Sequence, residues 1–462
     1  MLAACLATTL VAPSEALWLP AADPGLFPSA PAVAFRLHRP ESPFVALTLD
    51  KPWEGPESGY ATVLEAPDGY RLYYRAGGER TREFTCVALS DDGVRWSRWS
   101  GPARGLEASA PVGSNVVWTA DRPSYGESHN LFPFLDSNPR CRPDARFKAV
   151  GFWIDRTDGE ERTLCTLVSQ DGFRWRRVSN RGAIRGGRFD SLNTAFFDPA
   201  LGRYVCYFRD SRDGVRWVKR ATSADFSSWS AGDWVAFPSL SGQHLYTNGI
   251  QPYPGAPGLY VAMPMRFVPS RRAIGDPPRD VDGVSDGLLL FGRGGLRFET
   301  HFGQAWIAGG TDPLNWGNAH GNNTPVVGWI RRPDRWLAYW MDHYGATPRI
   351  MGGSVRPHGF ASLAAGIEAK FLTRALTEDA GELRLNYATS AAGEVRVAVA
   401  DASARPYPGF GFDDCPELFG DELSRAVRWR GGGLGSAPRP RRLLFRLREA
   451  ELFAIGLERG RP

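Results

Sequence analysis

Apolar and polar positions alternate along this chain in short runs closed by Gly, Asp, Asn or Ser, and no segment sustains the three-to-four spacing of a long amphipathic helix. The runs recur as a three-part unit: a short strand opened by polar residues, an aromatic strand, and a strand ending in a turn of the S-x-D-G-x-x-W type. The first unit takes Tyr60-Ala-Thr-Val-Leu, Tyr70-Arg-Leu-Tyr-Tyr and Cys86 to Trp96. The second takes Asn130 to Asp136, Phe147-Lys-Ala-Val-Gly-Phe-Trp and Leu164 to Trp175, and the third Asn193-Thr-Ala-Phe-Phe-Asp, Tyr204-Val-Cys-Tyr-Phe and Arg216 to Trp229. The fourth takes Asn248-Gly-Ile-Gln-Pro-Tyr, Leu259-Tyr-Val-Ala-Met and Asp286 to Phe298, and the fifth Thr324-Pro-Val-Val-Gly-Trp, Trp336-Leu-Ala-Tyr-Trp and Ile350 to Phe360. From about residue 366 the alternation lengthens, in Glu382 to Asn386, Glu394 to Asp401, Ala426 to Trp429 and Leu443 to Leu447. The pattern predicts an all-β chain: a five-bladed β-propeller over residues 31–365 followed by a C-terminal β-sandwich over 366–462.

Each turn has a local physical reason. Ser and Asp bond the turn backbone, Gly supplies a positive φ, and Trp returns to cover the sheet. The turn positions Gly93, Gly172, Phe226, Gly295 and Gly359 are 79, 54, 69 and 64 residues apart. Compact propeller repeats run about 40 to 50 residues, so loops are expected between strands. Ser211-Arg-Asp-Gly214 imitates the motif but falls between a second and a third strand.

Composition narrows the partners. A net charge of +5 comes mostly from Arg scattered among carboxylates, which argues against a nucleic-acid surface, although a few Arg in a pocket suit a carboxylate or sulfate on a sugar. The six cysteines show no C-x-x-C pair and read as buried free thiols. Residues 1–20 form an apolar stretch ending in a site that suits signal peptidase but lacking a basic start, so a secreted or periplasmic location is expected, with the cytoplasm as the alternative. No later run reaches the ~18 to 20 apolar residues of a membrane helix.

At the C-terminal end, Leu385-Asn386, Gly393-Glu-Val-Arg-Val, Pro408-Gly-Phe, Asp414-Cys415, Gly420-Asp421, Val427-Arg-Trp429 and Arg441 to Phe453 resemble the sandwich attached to glycoside hydrolase family 32-like propellers. The propeller part resembles bacterial proteins of the family 32/43 kind through Asp50-Lys-Pro-Trp-Glu54, His129 to Asp136, Arg146-Phe-Lys-Ala-Val, Phe189-Asp-Ser-Leu-Asn193 and Leu245-Tyr-Thr-Asn248. The W-M-N-D-P-N-G, R-D-P and E-C motifs of true family 32 enzymes are absent. Tyr207-Phe-Arg209-Asp210 is similar to R-D-P, but Ser follows the Asp and the pair is expected to end a second strand away from the axis.

First strands line a propeller's channel, so polar residues at their starts should converge on one funnel. These are Asp50 and Glu54; Glu127, His129, Asn130 and Asp136; Asp190 and Asn193; Asn248; and residues 320 to 323, among them His320 and Asn322. Glycoside hydrolysis needs two carboxyl groups flanking the scissile bond, and their separation decides retention or inversion. By analogy with the resembled family, Glu54 or Asp50 is expected as base or nucleophile, Asp190 as general acid, and Asp136 as the group orienting them. Trp53 offers a stacking face, while Glu127, His129, Asn130, Asn193, Asn248 and Asn322 suit hydroxyl recognition. Asp136 equally fits a turn, the asparagines strand ends, and His129 a structural role or a metal at the axis; no cofactor is indicated. The function expected is a glycosidase acting on a poly- or oligosaccharide. The alternatives are a carbohydrate-binding propeller without catalysis, a sialidase-like enzyme, which requires a Tyr nucleophile and clustered Arg, and a purely structural interaction propeller with an apolar axis.

Overall fold

The computed structural model describes residues 16–28, 33–78, 82–101, 109–120, 126–272, 282–317 and 320–459. These are all-β, with a few 3-10 turns and no α-helix among the described residues. The chain divides into two units. One comprises His38–Pro252 and Gly258–Pro357, and the other Met1–Leu37, Tyr253–Pro257 and His358–Pro462.

The larger unit is a succession of antiparallel sheets whose strands follow one another in sequence. The first holds Gly59–Ala66, Gly69–Ala76, Phe84–Ser90 and Ser97–Arg98, with Val116–Trp118 added. The second holds Phe132–Leu135, Phe147–Asp155, Glu161–Ser169 and Arg176–Arg177, and the third Thr194–Asp198, Arg203–Arg212, Val215–Ser223 and Asp233–Trp234. The fourth repeat is broken into two three-stranded sheets: His244–Leu245, Met265–Val268 and Val284–Gly287 form one, and Gln251–Pro252, Leu259–Ala262 and Leu290–Arg293 the other. Pro264 interrupts the second strand here, because it has no N–H for the ladder. The last sheet holds Ile330–Arg331, Trp336–Asp342 and Arg349–Val355, and its outer strand is Glu41–Thr48, which precedes the first repeat. The run 324–329, expected as a full strand, makes only isolated bridges, Pro325 to Trp340 and Thr62 to Val327.

The repeated turn has the same hydrogen bonds three times. Ser90 Oγ accepts from the Gly93 N–H, Asp92 Oδ1 from Val94 and Arg95, and Trp96 Nε1 donates to the Gly93 carbonyl. Ser169, Asp171 and Trp175 repeat this around Gly172, and Ser223, Asp225 and Trp229 around Phe226. All three central residues have φ between 65° and 77°. Neighbouring sheets reach across to these turns: Tyr73 Oη donates to the Gly172 carbonyl at 3.0 Å, Tyr207 Oη to Gly295 at 2.8 Å, and Tyr339 Oη of the last sheet to Gly93 of the first at 2.6 Å.

In the smaller unit, seven strands form one hydrogen-bonded network built on two long strands, Glu382–Ala400 and Arg442–Glu458. Glu382 to Asn386 and Glu394 to Asp401, expected as separate strands, are therefore one strand, with a register break between Thr389 and Glu394. Ala16–Pro20, within the stretch expected as a signal segment, pairs with Ala454 to Glu458 of this network, and Ala34–Leu37 and Ala361–Ala365 also join it. The unit thus draws on residues before 31 and begins again at His358 rather than at 366. Cys86, Cys165, Cys206 and Cys415 are buried free thiols and Cys141 is partly buried; Cys5 lies outside the described residues.

Tyr207→Phe should cost about 1–3 kcal/mol, because it leaves the Gly295 carbonyl short of its buried donor. The exposed bond of Tyr407 to the Pro440 carbonyl is the control, and Tyr407→Phe should cost less than about 0.5 kcal/mol by calorimetric unfolding.

Candidate active site

Loops and strand ends of the larger unit bring one polar cluster together. His129 sits in the loop before the second sheet, in a turn closed by its N–H to the Gly126 carbonyl. Gly151 on the neighbouring strand makes room for this turn, since a Cβ there would lie 2.8 Å from the Glu127 carbonyl. The imidazole is buried, with Nδ1 2.6 Å from Glu83 Oε1 and Nε2 2.8 Å from Asp190 Oδ1. With a carboxylate at each nitrogen, both carry protons. Burial alone would lower the His129 pKa, but the bonds to Asp190 and Glu83 outweigh it and hold the imidazolium above the ordinary range. Asp190 shifts the other way: burial opposes its charge, yet His129, Arg209 and Arg75 keep its carboxyl well below the usual carboxylate range. Its side chain is 35% exposed, whereas Glu83 is fully buried.

Arginines and aromatics complete the cluster. Arg75, at the end of a first-sheet strand, donates to Asn130 Oδ1 at 3.1 Å, to Tyr344 Oη at 2.9 Å and to the Glu57 carbonyl at 2.7 Å, and lies over the Tyr60 ring. Arg209 Nη2 is 3.7 Å from Asp190 Oδ2, and Arg209 and Arg216 both lie over the Tyr246 ring, at 4.8 and 5.2 Å. Tyr246 stacks on His320 at 4.4 Å. Burial and the three guanidiniums push the His320 pKa down to about 4, so this ring is neutral near pH 7. Burial raises the phenols of Tyr60 and Tyr246 and pushes Tyr344 up to about 12, so all three keep their protons. Tyr60 and Asn130 adopt φ of 50° and 63°, local strain confined by the surrounding contacts.

Of the residues expected to converge, His129, Asn130, Asp190 and His320 meet here. Asn193 and Asn322 serve the cluster from behind. Asn193 Nδ2 donates to the Phe189 and Ser191 carbonyls while Oδ1 accepts the Arg209 N–H, pinning the Asp190 turn to the Arg209 strand. Asn322 accepts from the Tyr344 N–H at 2.7 Å and donates to the Leu314 and Gly317 carbonyls. Asn248 is likewise engaged, accepting from Thr194 and donating to the Tyr207 carbonyl.

The other expected residues lie in separate networks. Glu54, its side chain fully buried, accepts from Tyr74 Oη at 2.5 Å, Arg98 Nη2 at 2.6 Å and the Lys51 N–H at 2.9 Å, none of which bonds Asp190. Asp50 pairs with the same Arg98 at 3.2 Å, and Trp53 Nε1 donates to Asn115. Asp136 is buried against Lys148 at 2.8 Å and Tyr204 Oη at 2.7 Å, the turn role rather than an orienting one. Glu127 pairs with Arg177 at 2.5 Å. A cavity of about 680 Å³ lined by Asn138, Lys148, Tyr204 and Phe226 lies at the Asp136 network. Its Lys148, Arg142 and Arg176 are already paired with Asp136 and Asp144. Asp312, Asp342 and His343 also cluster, with the Arg349 guanidinium bonded to Asp342 at 2.7 Å. Sequence reasoning missed Tyr60, Arg75, Glu83, Arg216, Tyr246 and Tyr344, and placed Arg209 away from the axis; it lies beside Asp190 instead, while its neighbour Asp210 pairs with Lys219 at 2.7 Å.

The chain is similar in structure to a glycoside hydrolase (12% identity over 69% of this chain and 92% of that one, TM-score 0.45). It is also similar to a protein of the GH130 family of mannoside phosphorylases, which contains glycoside hydrolases that target β-1,2 mannosidic linkages in Candida mannan (12%, 72% and 99%, TM-score 0.44). A third is a glycosyl hydrolase from Bacteroides ovatus (13%, 70% and 94%, TM-score 0.43). No family model and no curated protein matches the chain.

The coupled shifts set a pH dependence. The raised His129 pKa contributes stability that is complete below its ordinary value of about 6.5 and lost as pH rises through the folded value. The depressed Asp190 pKa contributes above about 3.9 and is lost as pH falls through the folded value. In NMR titration His129 should show a midpoint above about 6.5 that falls in Asp190→Asn.

Proposed function

We propose that the protein is a glycosidase of five-bladed β-propeller architecture, cleaving a poly- or oligosaccharide at the Asp190 cluster. The observation that carries this is Asp190 itself: a partly exposed carboxylate kept ionised and oriented by His129, beside Arg209 and aromatic rings. An oxocarbenium-like transition state needs a negative group next to the anomeric carbon, and a positioned carboxylate supplies it as nucleophile or as base toward water. The depressed pKa favours this role over the general-acid role expected from the sequence. His320, half-buried and stacked on Tyr246, offers an aromatic face for a sugar ring, and three protonated tyrosines border the cluster as hydroxyl donors. Five successive repeats, with Tyr339 of the last sheet bonded to the turn of the first, support the propeller reading. The sequence resemblance to family 32/43-like proteins supplies the carbohydrate class.

A second reading, glycan binding without cleavage, is favoured by the full burial of Glu83 behind His129, which leaves Asp190 as the exposed carboxylate of the cluster among the described residues.

The test is a screen of the purified protein on polysaccharides and aryl glycosides beside two variants. Asp190→Asn should lower the turnover of the folded protein by about 10²–10⁴-fold, with some loss of melting temperature from the missing ion pair with His129. Glu54→Gln should lower the melting temperature through its buried ion pair while the remaining folded protein turns over normally. Glycan binding without product in the wild type, unchanged in Asp190→Asn, would leave the binding reading.

A further inference from the structure

The cluster holds more cationic hydrogen-bonding capacity than its own acceptors use. Arg209 is 8% exposed, its Nε donates to the Arg188 carbonyl at 3.0 Å, and its buried Nη1 has no partner. Arg216, half-buried on the adjoining strand, contacts His244 Nδ1 at 3.3 Å and pairs with no carboxylate among the described residues. Burial and Arg216 itself lower the His244 pKa, so that ring stays neutral and does not compensate the guanidinium. Arg75 donates to three neutral oxygens and lies 3.4 Å from His129 Nδ1, and its buried Nε is unpartnered.

The charge balance has the same sign. Arg75, Arg209 and protonated His129 lie against Asp190 and Glu83, with Arg216 on the Tyr246 ring that Arg209 also covers and Glu57 more distant, so cations outnumber carboxylates among the described residues of the cluster. Burying an uncompensated guanidinium is costly unless an anion arrives to complete it. The depressed pKa of His320, to which all three guanidiniums contribute after burial, reports the same positive field at a different atom. Meanwhile Asn193, Asn248 and Asn322, the amides suited to neutral hydroxyls, are bound to backbone and side-chain groups of the fold.

We propose that Arg209 and Arg216, side by side on Tyr246, bind a carboxylate carried by the sugar that enters the Asp190 site, so that the substrate is an acidic glycan. A planar guanidinium meets a carboxylate with two parallel N–H bonds, and the unpartnered Nη1 of Arg209 is a donor free for one of them. The proposal rests on the carbohydrate reading above but not on cleavage.

Calorimetric titration separates the two. The probes are a galacturonic acid trisaccharide with its carboxyl-reduced counterpart, a glucuronate-containing disaccharide with its reduced counterpart, and sialyllactose with lactose; product formation is assayed separately. At least one acid should bind about 10-fold or more tighter than its neutral partner, weakening as salt rises. In Arg216→Gln, and in Arg209→Lys as the charge-keeping variant, that preference should fall to within about 2-fold while circular dichroism and melting stay unchanged. The proposal is overturned if no acidic probe binds better than its neutral counterpart, or if the preference survives in both folded variants. An acid preference without product would sink the glycosidase reading and leave this one standing.

Discussion

A tyrosine hydroxyl on the second strand of one sheet donates to the carbonyl at the turn of the next, and the larger unit depends on this bond. Tyr73, Tyr207 and Tyr339 make it, the last returning to the turn of the first sheet. The Gly93 and Gly172 turns receive it because their own Ser, Asp and Trp fix the backbone locally, and all three acceptor glycines have positive φ. Where Phe226 replaces the glycine, Lys148 of the preceding sheet lies over its ring instead. Gly172 is required twice, for its φ of 77° and because a Cβ would lie 2.6 Å from Tyr73 Oη. Local turn chemistry thereby becomes the join between sheets.

With the turn end held, the opposite strand ends and loops carry the polar cluster. Its geometry is fixed by two amides and a hydroxyl bound to the backbone: Asn193 ties Asp190 to Arg209, Ser191 Oγ donates to the Tyr246 carbonyl at 2.7 Å, and Asn322 holds Tyr344. The charged groups then set one another. His129 is an imidazolium because two carboxylates face it, and Asp190 is ionised because His129 and two arginines face it.

What could be read in the sequence was what is local. The S-x-D-G-x-x-W turns, the strand runs of the first three repeats and the buried thiols depend on neighbours within a few residues. Pro325 broke an expected strand because it removes a ladder N–H that apolar alternation alone does not weigh. The site was harder. Arg209 and Asp210 are adjacent in one strand and point to opposite faces, one to Asp190 and the other to Lys219, and nothing in Phe-Arg-Asp says which. Glu54 looked like a funnel carboxylate, but Arg98, distant in sequence, takes it. Asp190 and His129 stand just before first strands, where polar residues are expected to converge, whereas Arg75, Arg209 and Arg216 lie on second and third strands.

The most direct test of the central claim, that chemistry occurs at Asp190 and His129, is a crystal structure of the protein soaked with an oligosaccharide it binds. A sugar ring seated against His320 with a hydroxyl or anomeric carbon against Asp190 is the predicted result. A sugar held at Trp53 and Glu54, or in the 680 Å³ cavity beside Lys148 and Tyr204, with the Asp190 cluster untouched, would contradict it.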